Sequence, residues 1–268
     1  MLKRFSLFIF AVIVMSLTLR GNSDALGSQE DLAAFKDNAC VTCHSRVSSP
    51  LGMSNRYLDW HLSAHKDKGV ACDKCHGGDP SIRDEKKAHA AVLGPSLLES
   101  RLHPMKLPET CGACHNSVVT SFVGSKHYQR LKDSSIGPSC STCHSHMASN
   151  VIRDPDETQE LCARCHDTLN GIIPRRPEIP AKANEVMQSI KRANSMGIWA
   201  NSLVDEGQKK KIDVAAEAEQ MKAVRQTMSE AKVGWHAFNL EAVRAKADAA
   251  FESALKVKDR LMKKLGYA

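Results

Sequence analysis

The C-terminal third of the chain has a regular spacing of apolar residues. Between residues 214 and 261, apolar side chains recur every seven positions, and residues 232–235 interrupt the pattern. This is the spacing of the a and d positions of packed helices, because 3.6 residues per turn bring them to one face. We therefore predict a helix over 181–206, with an interruption at Gly197 as an option, and two long antiparallel helices after it. The repeating positions are Val214, Met221 and Met228, followed by Leu240, Ala247, Ala254 and Leu261.

The rest of the chain has no such repeat. Residues 26–173 contain no useful stretch of alternating apolar and polar residues, and glycines and prolines mark frequent turns. Three prolines fall within residues 174–180 and predict a stiff extended connector. The expected fold class is mainly α, with almost no sheet: a loop-rich domain over 26–173, the connector 174–180, and a C-terminal bundle of long helices over 181–268.

The N-terminus has the pattern of an export signal. Lys3 and Arg4 precede fifteen uncharged, mostly apolar residues at positions 5–19, too few to span a bilayer comfortably. Small side chains at Ser23 and Ala25 predict a signal peptide over 1–25, cleaved after Ala25. The alternative is an uncleaved membrane anchor. Both predict a periplasmic location, or another location outside the cytoplasmic membrane.

The loop-rich domain carries one motif five times. The sequence Cys-x-x-Cys-His uses all ten cysteines of the chain. Two cysteines one helical turn apart can bond to two vinyl groups of a haem, and the following histidine can bind its iron. We therefore predict five covalently bound haem c groups. The cysteines are Cys40, Cys43, Cys72, Cys75, Cys111, Cys114, Cys140, Cys143, Cys162 and Cys165, and the motif histidines are His44, His76, His115, His144 and His166.

Zinc sites and disulfides are two alternatives to haem attachment, and both account for less of the motif. A zinc ribbon needs two Cys-x-x-Cys pairs for each metal, and five pairs do not divide into such sites. A disulfide framework fits the even number of cysteines. Neither one explains a histidine after every second cysteine.

Seven histidines outside the motifs are candidates for the sixth ligand of the irons. His65 and His127 stand in matching contexts, Ser-Ala-His and Ser-Lys-His, and both are expected distal ligands. His146 is too close to His144 to bind the same iron, but it can reach a neighbouring one. His103 is preferred to His89 for a further site. His236 is the candidate from the C-terminal helices, and His61 is expected at the surface or behind a ligand.

With these motifs in view, the chain resembles the superfamily of hydroxylamine oxidoreductase and pentahaem cytochrome c nitrite reductase. The resemblance covers most of the chain after residue 25. It is carried by the spacing of the five motifs, Trp60-x-x-Ser63-x-His65, His76-Gly-Gly-Asp79, Ser125-Lys-His127, and the long C-terminal helices. It implies closely stacked haems and export before assembly. It does not by itself imply catalysis, because all five motifs end in histidine and no tyrosine lies within the C-terminal helices.

The net charge gives no case for binding nucleic acid. The chain has a formal charge of +7, and removing residues 1–25 (three basic, one acidic) leaves +5. Each haem adds two propionates, so five haems bring +5 − 10 = −5. The expected partners are other redox proteins, such as quinol-oxidising or periplasmic cytochromes and reductases. Self-association through the C-terminal helices remains an option.

These observations predict a function in electron transfer. The chain is expected to relay single electrons through closely spaced, mostly bis-histidine haems, with no catalytic residues. The alternative is a haem-based oxidoreductase acting on a small nitrogen compound, nitrite or hydroxylamine, at one haem with an open coordination position.

Overall fold

The structure, a computed structural model, describes residues 29–145, 147 and 150–267. Helices form all the regular structure in these residues, and they contain no strand. The predicted fold class, mainly α with almost no sheet, is thus confirmed. The predicted signal segment 1–25 and His146 lie outside the described residues. None of the described helices is long and apolar enough to cross a membrane.

Short helices joined by loops make up the first part of the chain. Several of them begin at a side chain that accepts a hydrogen bond from the first turn, as Asn38, Ser63 and Ser125 do. Such caps allow helices of one or two turns to begin at defined positions. The elements are a 3-10 helix at Gln29–Phe35, then α1 Ala39–His44, α2 Leu51–His61, α3 Ala64–Asp67, α4 Cys72–His76, α5 Glu85–Ala88, α6 Leu107–Gly112, α7 Asn116–Val123, α8 Lys126–Ser134, α9 Cys140–His144 and α10 Pro155–His166.

Three long helices form the C-terminal part, as the heptad spacing predicts. They are α11 Glu178–Lys209, α12 Ala215–Gly234 and α13 Leu240–Leu265, and a 3-10 turn at Trp235–Ala237 joins the last two. Helix α11 passes through Gly197 without interruption. It also begins three residues earlier than expected and includes Pro180 in its first turn, where no intrahelical N–H bond is lost.

The C-terminal helices bury their own apolar core. Its members come from all three helices and include Val186, Met221, Val243 and Leu261, each at most 2% exposed. Alanines such as Ala247 fill the positions where α13 approaches its neighbours. The bundle therefore has enough apolar burial to hold these helices together.

The loop-rich part has a much smaller protein core. Phe35, Val41, Trp60 and Ala71 form one buried cluster, and the Trp60 indole N–H donates to the backbone carbonyl of Val70 at 2.9 Å. Little else in this part of the described chain is a buried apolar cluster. Five porphyrins would supply the missing apolar volume.

Contacts between the two parts are direct. Helix α10 packs along α11, and the Asn184 amide donates to the Asp156 carboxylate at 3.0 Å. Helix α7 packs against α12 and the turn at Trp235–Ala237. The C-terminal helices therefore pack on the loop-rich part of their own chain.

Candidate haem-binding sites

The motifs lie in or at the ends of helices. Helices α1, α4 and α9 each contain one motif, α10 ends with the fifth, and the third spans the end of α6. One helical turn brings the two cysteines of a motif to the same side, which is the arrangement that attachment to one edge of a porphyrin requires. All ten cysteines are free thiols and none forms a disulfide.

Among the described residues, four pairs of histidine rings face each other. Each pair contains one motif histidine and one histidine from elsewhere in the chain. The distances between ring centroids are 6.0 Å for His44 and His89, 6.0 Å for His65 and His115, 5.9 Å for His127 and His166, and 6.1 Å for His144 and His236.

This separation fits one metal ion between two imidazoles. A bond from imidazole nitrogen to a metal is about 2 Å long, and the ring centre lies about 1 Å beyond the nitrogen. Two rings on opposite sides of one ion are therefore about 6 Å apart. Since each pair also includes the histidine of a Cys-x-x-Cys-His motif, the residues fit a haem with two axial histidines.

Hydrogen bonds orient several of these rings. The Nδ1 atoms of His89, His144 and His236 lie 2.8, 2.8 and 3.1 Å from backbone carbonyl oxygens. A carbonyl oxygen only accepts, so Nδ1 carries the proton in each ring. The Nε2 lone pair is then free to bind iron, which is the usual arrangement behind a metal-ligating histidine.

The pair of His127 and His166 is held differently. Both Nδ1 atoms are buried and have no hydrogen-bond partner among the described residues. Burial, with a smaller contribution from His166, lowers the pKa of His127 to about 4. The ring is therefore neutral at physiological pH, and neutral imidazole is the form that binds a metal.

The first three motifs lie next to one another in space, in the same order as along the chain. Burial, followed by the neighbouring thiol of Cys40, raises the pKa of Cys72 to about 11. Burial and the neighbouring thiol of Cys111 likewise raise the pKa of Cys75. Cysteines of successive motifs thus lie close enough to influence each other.

The later motifs continue this order. A hydrogen bond between the thiols of Cys111 and Cys140 raises the pKa of the first and lowers that of the second. Burial and the neighbouring Cys165 raise the pKa of Cys143. The five motifs therefore form a sequence of neighbours from the first to the fifth.

The sequence analysis preferred His103 to His89, and the structure places His89 opposite a motif histidine. His89 follows α5 and faces His44. His103 lies in a turn, and its Nδ1 accepts a hydrogen bond from the backbone N–H of Met105 at 3.3 Å. That bond puts the proton of a neutral ring on Nε2, the nitrogen that would otherwise bind iron. The helix cap at Asp84 is a sequence signal for a fixed position of His89.

The second motif ends at His76. His76 ends α4, and His146 lies outside the described residues. Met147, next to His146 in the chain, packs against the cluster of Trp60 and Ala71, which Cys72 also contacts. His61 stacks on Tyr57, with ring centroids 6.0 Å apart.

Comparisons with known proteins agree with this geometry. The family described as cytochrome c7 and related cytochrome c matches residues 98–170, and the family described as cytochrome c554 and c-prime matches residues 16–77. The C-type polyheme cytochrome OmcC of Geobacter sulfurreducens is 30% identical over 165 residues, which are 50% of this chain and 21% of the relative. OmcB of the same species is 28% identical over 149 residues, 52% of this chain and 18% of the relative.

The chain is similar to multihaem c-type cytochromes. Its similarity to the polyhaem relatives covers only about a fifth of their length. No solved structure matches it. The two matched ranges hold all five motifs of the chain: the first two motifs lie in residues 16–77 and the last three in residues 98–170. The segment with His89 lies between these ranges.

The similarity to multihaem c-type cytochromes implies a role in electron transfer. Haem c supplies an iron that accepts and returns one electron. The polypeptide holds pairs of imidazoles at the spacing that an iron between them would require, and it holds successive motifs side by side.

Proposed function

We propose that this protein is an exported pentahaem cytochrome that relays single electrons between redox partners. The observation that carries the proposal is the set of four histidine pairs about 6 Å apart, each with one motif histidine. Two imidazole ligands favour the low-spin state of the iron in both oxidation states, so little rearrangement accompanies electron transfer. Bis-histidine haems are therefore suited to relay rather than to substrate binding.

From these pairs we propose the axial ligands of four haems. Each haem would be attached through the two cysteines of a motif and bound by the motif histidine and its facing partner. The sets are His44 with His89 for the first motif, His115 with His65 for the third, His144 with His236 for the fourth, and His166 with His127 for the fifth.

For the second haem, bound by His76, we propose His146 as the distal ligand. Its chain neighbour Met147 packs in the same cluster as Cys72, the first cysteine of the second motif. In addition, Asn150 makes two hydrogen bonds with His144, so the chain four residues beyond His146 lies next to the fourth motif. With this assignment, ten histidines serve five irons.

The order of neighbouring cysteines supports a single path for electrons. Successive motifs lie side by side from the first to the fifth, so haems attached to them would form a chain with two ends. The first motif lies at the N-terminal end, and the fifth lies on α10 against the C-terminal helices. A redox partner at each end would complete the relay. We place these partners, and the protein, outside the cytoplasmic membrane because haem c is attached there.

One observation favours a second candidate, an oxidoreductase of nitrite or hydroxylamine like those of the superfamily it resembles. The Tyr57 hydroxyl and His61 Nδ1 are both buried without a hydrogen-bond partner among the described residues. They lie beside Trp60, near the second motif. Such groups could donate to a small bound substrate if the second haem lacked a distal ligand.

Two measurements on the mature protein test the relay. Mass spectrometry should find five haem additions. Low-temperature EPR of the oxidised protein should find only low-spin haems, and the reduced protein should not bind CO. Fewer than five haems would contradict the pentahaem assignment. A high-spin haem that takes up CO would favour the second candidate, and assays with nitrite and hydroxylamine would then follow.

A further inference from the structure

The histidine pairs of the fourth and fifth motifs differ in what their Nδ1 atoms contact. In the fourth pair, His144 and His236 lie 2.8 and 3.1 Å from backbone carbonyl oxygens. In the fifth pair, the Nδ1 atoms of His127 and His166 are both buried without a hydrogen-bond partner in the described part of the chain. One pair is doubly hydrogen-bonded, and the neighbouring pair is not.

This difference changes the electron density on the iron. An imidazole that donates its Nδ1 proton to an acceptor gains some imidazolate character and becomes a stronger donor through Nε2. A stronger donor stabilises Fe(III) more than Fe(II), so it lowers the reduction potential. Two such ligands on one haem act in the same direction, and two ligands without an acceptor leave the potential higher.

Fixed charge near the fifth motif acts in the same direction. The guanidinium of Arg176 is near His166, and its positive charge favours Fe(II) over Fe(III). Glu178 accepts a hydrogen bond from Arg176 at 2.9 Å and offsets part of this effect. Arg176 has the larger influence on His166 of the two.

Packing replaces the hydrogen bond that usually orients a ligand ring. The Phe238 ring meets the His127 ring at a centroid distance of 4.1 Å and an angle of 87°. Phe238 has a left-handed backbone with φ of 57°, which is costly for a bulky side chain and persists only where the surroundings require it. His236 belongs to the same turn, at Trp235–Ala237. A single turn therefore contributes a ligand to the fourth site and positions a ligand of the fifth.

We propose that the haem of the fourth motif has a lower reduction potential than the haem of the fifth, because only the fourth has two axial imidazoles that donate Nδ1–H hydrogen bonds. When the two haems share one electron, Fe(II) at the fourth site is oxidised to Fe(III) as Fe(III) at the fifth is reduced to Fe(II). No proton has to move. The inference rests on the ligand sets of the proposed function and gives the relay a direction towards α10.

A redox titration of the complete holoprotein tests the order of potentials. Methionine is a weaker donor than histidine, so it raises the reduction potential of the haem that it binds. In His236→Met and in His127→Met, one step of the titration should therefore move to higher potential. The step that moves belongs to the haem whose ligand was replaced. We expect the step that moves in His236→Met to lie, in the unchanged protein, at lower potential than the step that moves in His127→Met. Equal potentials or the reverse order would overturn the inference. If neither substitution moves a step, the ligand sets themselves fail, and the inference fails with them.

A second measurement tests the cause and needs no variant to fold. In the fully reduced, diamagnetic protein with ¹⁵N-labelled histidine, hydrogen-bonded Nδ1 protons resonate further downfield than those without an acceptor. Two-bond correlations connect the ring nitrogens to the carbon-bound ring protons, which the haem ring current shifts upfield in an axial histidine. Contacts to Phe238 identify His127. We expect the Nδ1 protons of His144 and His236 to be downfield of those of His127 and His166. Indistinguishable shifts would remove the basis of the proposal.

Discussion

His89 and His103 lie fourteen positions apart, between the second and third motifs, but in different surroundings. His89 faces His44 at 6.0 Å, whereas His103 is part of a turn. We expect His89→Ala to leave one iron without its sixth ligand. One haem then becomes high-spin and binds CO when reduced. His103→Ala is the matched control, and all its haems should stay low-spin. A high-spin haem in His103→Ala, with only low-spin haems in His89→Ala, would identify His103 as the ligand instead.

At Gly137, the chain passes unusually close to helix α8. A methyl group there would overlap the backbone oxygen of His127 and the backbone nitrogen of Leu131. We expect Gly137→Ala to lower the free energy of unfolding by about 1–3 kcal/mol, as overpacking does. It should also change the EPR signal of one haem, because His127 moves with its backbone.

The control for this change is Gly197→Ala within α11, where a methyl group meets nothing within 4 Å. Alanine favours the helical state over glycine, so the free energy of unfolding should rise by about 0.5–1 kcal/mol. The EPR spectrum should stay unchanged. An unchanged EPR spectrum in Gly137→Ala would mean that the backbone at Gly137 shifts to accommodate the methyl group and His127 stays in place.

At the scale of the element, regular spacing was enough to predict the C-terminal helices. The heptad positions of α12 and α13 are buried because each repeat returns to the same face. The matching contexts of His65 and His127 also have a structural cause, since Ser63 and Ser125 cap α3 and α8 two residues earlier. The optional interruption of α11 at Gly197 does not occur, because one glycine weakens a helix without ending it. Packing against α13 stabilises it there.

Helices α12 and α13 share a buried ion pair that should depend on pH. Glu217 is buried at 3% exposure, and its carboxylate lies 2.8 Å from the Lys264 ammonium. Burial alone would raise the pKa of Glu217, but Lys264 and Arg260 outweigh it, and the pKa is lowered. A carboxyl with a lowered folded-state pKa stabilises the fold above its unfolded-state pKa, and this contribution is lost as the pH falls through the folded-state pKa.

We therefore expect Glu217→Gln to lower the free energy of unfolding by about 1–3 kcal/mol at pH 7. The difference from the unchanged protein should shrink as the pH falls below about 4, the ordinary range of a glutamate. Denaturant unfolding at several pH values measures it. Glu219→Gln removes an exposed pair with Lys222 and should cost about 0–1 kcal/mol at any pH. A pH-independent effect of Glu217→Gln would show that the ion pair is not its cause.

At the scale of the whole molecule, the pairing of histidines links distant parts of the chain. His236, in the C-terminal part, faces His144, and His65 faces His115 across an intervening motif. The sequence identified both His65 and His236 as candidates, because each iron needs a sixth ligand and histidine is the natural donor. It could not assign the partners, since which segments meet depends on tertiary packing. The same limit explains the preference for His103, because the contact of His89 with His44 leaves no local pattern.

This arrangement predicts that haem attachment orders one part of the molecule and not the other. The C-terminal helices bury a core of their own, whereas the loop-rich part has a small one. In a chain produced without haem, we expect backbone amides of α11, α12 and α13 to remain protected from hydrogen exchange. Amides of α1 to α9 should exchange at close to the rate of an unfolded chain, and should become protected in the holoprotein. Hydrogen exchange with mass spectrometry measures both forms, and equal protection of the loop-rich part in each would mean that the polypeptide alone holds the histidine pairs in place.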